Sequence, residues 1–400
     1  MYVTRPLSLL RKSPELLSSA PREGPNSGYL VLFDEDCETT TCFGLCKDTR
    51  IRNLPLPQNK DLTVTHTTNN GEHSNTHYDY VVFIPVLDQP LSSNRYYVIQ
   101  RQGKHKGEAS ACSTKDGMGT CCCCTYIKDV KPRPLDPLDI YQQVEIIKKK
   151  HRGFTAKSVA EDSFPPVFLR RKYWQLYMRT PRNYQLEEAP GLKSSLRAQL
   201  PNLDFSSSST SSDTVVVGKW YCPVMFVKEL GVIKLKEQMK KSVFYEMTLE
   251  QRWDKIFGCD NVGTNMRVVC VDVLVNKEEA CVDGKEAICD WRHVDDGVIW
   301  FKTSSDGVEG DDQSRRLLGL SALIMNRMKW EEERVGFDVD EFESRVNVKR
   351  TEEFDGKDIN KWSKFGCYVL VERFVLKRVD GTVLLTHDFK HTNQIRSKWE

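Results

Sequence analysis

No apolar run in the sequence approaches the roughly 20 residues of a membrane-spanning helix, which excludes a helical transmembrane protein. The first residues, MYVTRPLSLLRKSPELL, have no long apolar core, so no secretory leader is expected; their arginines and serines leave a transit segment as a weaker alternative. Charge of one sign is scarce. The formal net charge is +2, which argues against a nucleic-acid binder acting through overall charge. There is no Walker A loop, no G-x-G-x-x-G and no repeat of 20–50 residues, so nucleotide-loop enzymes and solenoids are set aside.

The chain has 400 residues, enough for two domains or one large one with inserts, and 39% hydrophobic residues, enough for a core. Its 14 cysteines, without a leader, read as free thiols in a reducing compartment. We therefore expect a cytoplasmic protein, with the nucleus as the alternative.

Residues 1–135 read as a β-rich region. GYLVLF, YDYVVFIPVL and RYYVI are branched and aromatic and are separated by turn residues. YVVFI is apolar on both faces and should be covered on both; Pro85 suggests an edge or a bulge. Residues 136–205 read as a basic, partly helical connector. Asp139 is expected to cap a helix through IYQQVEIIKKKH, with Ile140, Val144 and Ile147 on one side. SSSSTSSD, 206–213, reads as a linker. Residues 214–400 read as a second β-rich region. SVFYEMTLE has half-buried strand patterning, and Asp-Gly in CDWRHVDDGVIWFKT and in FVLKRVDGTVLL predicts two hairpins. KLKEQMKK reads as a short helix. A long amphipathic helix is expected over 314–335, with Leu317, Leu320, Ile324 and Met328 as its stripe and Gly336 beyond its end. The fold class expected is α+β and β-rich, mainly antiparallel sheets and hairpins with a few helical inserts.

The chemical candidates are weak. Cys121 to Cys124 run consecutively; in a strand they alternate faces, so one zinc could take a same-face pair but not all four. The remaining ligands would be Cys37, Cys42 and Cys46, whose spacing matches no finger. As a redox pair, Cys121 and Cys124 lack a following helix; as a lipid anchor the run lacks a neighbouring amphipathic segment. Buried filler is the favoured reading. Cys289, His293 and Asp295 resemble a nucleophile, base and orienter, but four extended residues span about 13 Å. His387 and His391 fail as joint ligands for the same reason. His73 and His77 lie in loop chemistry, not on a zinc-binding helix. GLSAL is one glycine short of a nucleophile elbow and is expected inside the helix. DVDEF lacks the rest of a calcium loop, and EEER, 331–334, reads as a solvated helix face. No catalytic, cofactor-binding or metal residue is assigned, and no cofactor is expected. The best binding candidate is RRKYWQLYMR, 170–179: Tyr173, Trp174 and Tyr177 could stack on bases while arginines meet phosphates. Such a stretch more commonly packs its aromatics inward, so nucleic acid is not the favoured partner.

Several stretches together, MYVTRPLSLLRKSPELL, GPNSGYLVLFDEDCETTTCFGLC, KPRPLDPLDIYQQ, KSVFYEMTLEQRWDKIF, MKWEEERVGF and the final FGCYVLVERFVLKRVDGTVLLTHDFKHTNQIRSKWE, are similar to a plant-specific family catalogued as domain of unknown function 1262. The resemblance runs nearly end to end. It implies a plant, intracellular setting, a unit spanning the chain, and a stress or defence context. Members are sometimes labelled as related to insecticidal crystal toxin domains. The family defines no functional residues, so none are carried over, and the N-terminal match weakens the transit alternative. The expectation is a non-enzymatic interaction protein with a protein partner. The alternatives are a toxin-like β protein meeting an anionic membrane, and a zinc- or thiol-dependent enzyme.

Overall fold

The computed structural model describes residues 1–41, 46–70, 73–121, 124–150, 153–229, 234–261, 266–303, 316–337, 344–355 and 362–400. It is β-rich and mainly antiparallel, with five short helices among the described residues. The chain divides into two compact units: residues 1–190 with 220–245, and residues 191–219 with 246–400.

In the first unit, β1 (Tyr2–Pro6) pairs in parallel with β2 (Gly28–Leu32). The main sheet contains β3 (Arg50–Ile51), β4 (Asp61–Asn70), β5 (His73–Pro85), β6 (Arg95–Gln100), β7 (Gln143–Lys148), β8 (Phe154–Ser158) and β9 (Gln175–Arg179). Its order is β8-β7-β6-β5-β4-β9-β3. Alternation decides which face is core. Leu62 and Val64 of β4, Val81 and Phe83 of β5 and Leu176 of β9 are buried in one cluster with Trp174 and Phe154. Val81 to Ile84 are all buried, as expected for a strand covered on both faces. Pro85 is the last residue of its strand; the pairing with β4 ends at Val81, so on that side Pro85 stands at an open edge, as expected, and its missing N–H interrupts no ladder.

The helix expected after Asp139 does not form. The Asp139 carboxylate does accept the Tyr141 N–H, but it caps one 3₁₀ turn, and the chain then extends into β7. Val144 and Ile146 face the core at a period of two, and pairing with β6 and β8 outweighs the helical spacing. KLKEQMKK does form a short helix, α1 (Leu235–Lys241).

In the second unit the sheet is built from β10 (residues 246–260 of the strand Phe244–Asp260), β11 (Glu278–Val282), β12 (Lys285–Asp295), β13 (Val298–Thr303), β14 (Arg316–Ser321), β15 (Lys364–Arg378) and β16 (Val383–Trp399), in the order β14-β13-β12-β11-β16-β15-β10. Both Asp-Gly hairpins are present. Asp296 and Gly297 have φ of 50° and 71°, the two left-handed residues a tight hairpin turn requires, and they join β12 to β13. Gly381, φ 88°, closes the turn between β15 and β16. Met247, Thr248 and Leu249 are all buried, so that strand is covered on both faces instead of one. The serine-rich 206–213 lies in this unit, where Ser207 and Ser212 are buried and the Ser212 N–H donates to the Trp253 carbonyl at 2.9 Å.

The amphipathic helix is shorter than expected. Leu317 and Leu320 belong to β14, and α2 runs only from Ala322 to Glu333. Its inward face carries Ile324, Met325 and Met328 but also Arg327, Glu331 and Glu332. A third short helix, Ser194–Gln199, brings Arg197 to the same place.

Candidate functional site: a tyrosine- and threonine-lined groove

The sheet face of the first unit that turns away from the core is formed by alternate residues of β9, β4 and β5. The register sets Gln175, Thr65 and Tyr78 side by side, then Tyr177, Thr63 and Tyr80, and beyond them Thr67 opposite Thr76. These side chains line a groove of 840 Å³, with Lys172, Tyr173 and Arg179 at its borders. The Thr67 and Thr76 hydroxyls share a hydrogen bond of 3.1 Å, and the Tyr177 hydroxyl donates to Gln175 Oε1 at 2.8 Å. None of the lining residues is acidic.

The loop before β9 is anchored by burying one aromatic and turning out the next. Trp174 is fully buried, packs on Phe154 and stacks on Phe83, and donates its indole N–H to the Leu169 carbonyl at 3.0 Å. Its neighbour Tyr173 is 57% exposed and has φ 65°. A left-handed backbone costs a non-glycine residue on the order of 1 kcal/mol or more, so the packed Trp174 holds Tyr173 at the groove rim against that strain. Gly153 permits the arrangement: a Cβ there would lie 2.3 Å from the Trp174 carbonyl oxygen.

Beside this loop, Arg171 donates to His66 Nδ1 at 2.9 Å. Burial and the adjacent guanidinium hold the imidazole below its usual value, which keeps Nδ1 an acceptor. Among the described residues, neither Lys172 nor Arg179 is in an ion pair. The groove continues through Thr49, Met178 and Arg179 into a depression of 240 Å³ bearing Lys47 and Lys60. From there it passes through Phe33 and Asp48 into one of 340 Å³ bearing Arg11, Arg50 and Arg52. Seven cations thus line the three depressions against two carboxylates, Glu38 and Asp48, which pair with Lys47 at 2.7 Å and Arg52 at 2.5 Å.

The structure therefore divides RRKYWQLYMR. Trp174 goes to the core; Lys172, Tyr173, Gln175, Tyr177 and Arg179 go to the groove. The Thr63, Thr65 and Thr67 face was missed in the sequence, although DLTVTHTT alternates apolar and hydroxyl residues and so carried the signal.

A second constellation, in the second unit, was also missed. EEER is not a solvated face: Glu331 and Glu332 are fully buried. Arg197 donates through Nε to Glu372 at 2.9 Å, through Nη1 to Glu331 at 3.2 Å, and through Nη2 to Glu332 at 3.3 Å and again to Glu372. Gln251 Nε2 donates to Glu372 at 2.6 Å, and His391 Nε2 lies 2.9 Å from Glu332. Glu331 also meets Arg327 and, at 2.7 Å, Arg334. Burial and the charge of Glu372 push Glu332 up to about 8. Burial opposes the charges of Glu372 and His391, yet their hydrogen bonds prevail: Arg197 and His391 hold Glu372 well below the carboxylate range, and Glu332 and Glu372 raise His391 to about 9.

Glu332, Glu372 and His391 present donor atoms within 4.8 Å of one another. The Arg197 guanidinium already occupies those oxygens as the counter-cation, so the set fits an ion-pair network and does not fit a cation site. A glutamate flanked by the apolar runs of VLVERFVL, with only Arg373 as polar company, was its visible signal.

The other candidates are not brought together. Cys121 and Cys124 lie opposite each other on two antiparallel strands, Gly119–Cys121 and Cys124–Tyr126, and not along one strand, and Cys124 is exposed, not buried filler. Cys122 and Cys123, and Cys42 of the other trio, lie outside the described residues. Cys37 is buried and Cys46 exposed. Cys289 and His293 share the extended β12; burial and the charges of Glu278 and Asp290 raise the thiol, the reverse of activation. Asp295 pairs with Arg316 at 2.6 Å. His387 meets Glu278 at 3.0 Å, apart from the His391 network. His77 sits on β5, opposite His66. Ser321 of GLSAL stands at a strand-to-helix junction, contrary to expectation, but its φ of −53° is not the left-handed conformation of a nucleophile elbow. DVDEF lies outside the described residues.

Residues 23–123 match a family model described as "Protein of unknown function (DUF1262)". No curated protein matches the chain. Among solved structures, that of Cry35Ab1 is similar, with a TM-score of 0.43 and 11% identity over 86% of this chain and 90% of the other. At that level of likeness no function transfers.

Proposed function

We propose that this protein is a non-catalytic binding protein that holds an extended anionic partner in the groove of its first unit. The observation that carries the reading is the continuity of three depressions lined by seven cations and two carboxylates, in a chain whose net charge is only +2. Charge concentrated on one concave path raises the local concentration of anions far more than overall charge does. The free thiols among the described cysteines support a reducing compartment, the cytoplasm, as its place of work.

The test is retention on a dextran sulfate matrix in a rising salt gradient. Lys172→Glu with Arg179→Glu should elute at markedly lower salt than the wild type. The charge-matched control, Lys285→Glu with Lys349→Glu, both on exposed strand positions of the second unit, should elute close to it. Equal elution of the two double variants contradicts the proposal.

A further inference from the structure

We infer that the partner is single-stranded RNA; this rests on the groove being the contact surface. Charge alone would suit any polyanion, but the centre of the groove is built for flat rings. Tyr78 and Tyr80 on β5 and Tyr177 on β9 stand on the same sheet face, on either side of the threonines of β4. Tyr78 is 59% exposed, and the left-handed backbone at position 173 spends conformational energy to put a fourth ring at the rim. Alternate residues of a strand are about 6.6 Å apart and neighbouring strands about 4.8 Å. Tyrosines spaced on that grid can each meet the face of a separate unstacked base, and stacking of this kind tolerates any sequence.

The cations flank the rings instead of replacing them, with Lys172 on one side and Arg179 leading to Lys47 and Lys60 on the other. This is the division of labour of a sheet that stacks bases on its face and meets phosphates at its edges. The 840 Å³ depression that carries the tyrosines holds no carboxylate to repel phosphate. Its threonine, tyrosine and glutamine groups both donate and accept, which suits ribose 2′-hydroxyls. A duplex hides the ring faces of its bases and would waste the tyrosines.

The experiment is fluorescence anisotropy with a labelled 12-nucleotide mixed-sequence RNA, the DNA of the same sequence and a blunt RNA duplex. The single-stranded RNA should bind at least tenfold more tightly than the duplex. Tyr78→Ala and Tyr177→Ala should each weaken RNA by about 5- to 150-fold. Tyr78→Phe should retain binding. Lys172→Gln should reduce the slope of log affinity against log salt by about 0.7. Equal binding of the duplex, or tyrosine variants that bind RNA as the wild type does, overturns the inference. DNA bound as tightly as RNA overturns the ribose part of it. If RNA is not bound while retention on the matrix still depends on Lys172 and Arg179, the RNA assignment falls and the anionic-groove reading stands. If neither is seen, both fall.

Discussion

Replacing Arg197 by methionine should cost the second unit most of its stability margin. The guanidinium is 5% exposed and is shared by Glu331, Glu332 and Glu372. With methionine there, Glu331 keeps Arg327 and Arg334, but Glu332 and Glu372 are left buried with His391 as their remaining cation. Removing one partner from a buried ionic network costs about 3–5 kcal/mol, chiefly because a carboxylate is stranded without water. For a folding unit of roughly 150–250 residues each kcal/mol lowers Tm by about 2–4 °C, so the loss should be about 6–20 °C. Calorimetry and near-ultraviolet circular dichroism at pH 7.5 would measure it. The mechanism adds a second signature: the deficit should shrink as pH falls towards 5, because the stranded carboxylates can take up protons. Arg197→Met with Glu372→Gln should be less damaging than the sum of the single changes. A loss below about 1 kcal/mol, or strict additivity in the double variant, would refute the reasoning.

The same cluster sets a pH dependence. His391 is raised to about 9 from its usual 6.5, so its stabilisation is complete below 6.5 and is lost as pH rises to 9. Glu332, raised to about 8, loses its contribution between the ordinary carboxylate range and 8. Unfolding free energies from urea titrations should therefore fall from pH 6.5 to 9 by about 1.4 kcal/mol per pH unit for each proton taken up on folding, and His391→Gln should flatten that limb; stability rising over the window contradicts the assignment. On the acid side Glu372 and Asp388 are both held low by their arginine partners, so their stabilisation is present above the ordinary carboxylate range and fades as pH drops below it. In the first unit, Gly153→Ala should destabilise by more than about 1 kcal/mol, since φ is 65° and the new Cβ would meet the Trp174 carbonyl; an unchanged melting temperature would show that the loop is not packed as described. Among the described thiols, exposed Cys46, Cys124 and Cys270 should alkylate readily at neutral pH, whereas Cys112 and Cys222, pushed up to about 11 by burial, should react only on unfolding; peptide mapping after brief labelling would separate the two groups.

The legible parts of this fold were those with local chemistry. Two Asp-Gly turns announced their hairpins because few residues accept the left-handed backbone, and GYLVLF, RYYVI and YVVFI declared themselves by composition. The errors came where a period of 3.6 and a period of 2 fit the same residues. Val144 and Leu320 satisfied both patterns, and long-range pairing chose the strand. RRKYWQLYMR was visible as a binding stretch, but not which of its aromatics would turn inward; that depended on Phe83 and Phe154, distant in sequence. The Arg197 network was least legible. Its members come from positions 197 to 391 and only become partners once two helices and two strands have met.

The most direct test of the groove as the contact surface is photo-crosslinking of a 4-thiouridine-substituted single-stranded RNA, with the adducts located by peptide sequencing. The account predicts adducts confined to residues 63–80 and 172–179, Tyr78, Tyr173 and Tyr177 foremost. Adducts concentrated in the second unit, or spread evenly over the surface, would contradict it.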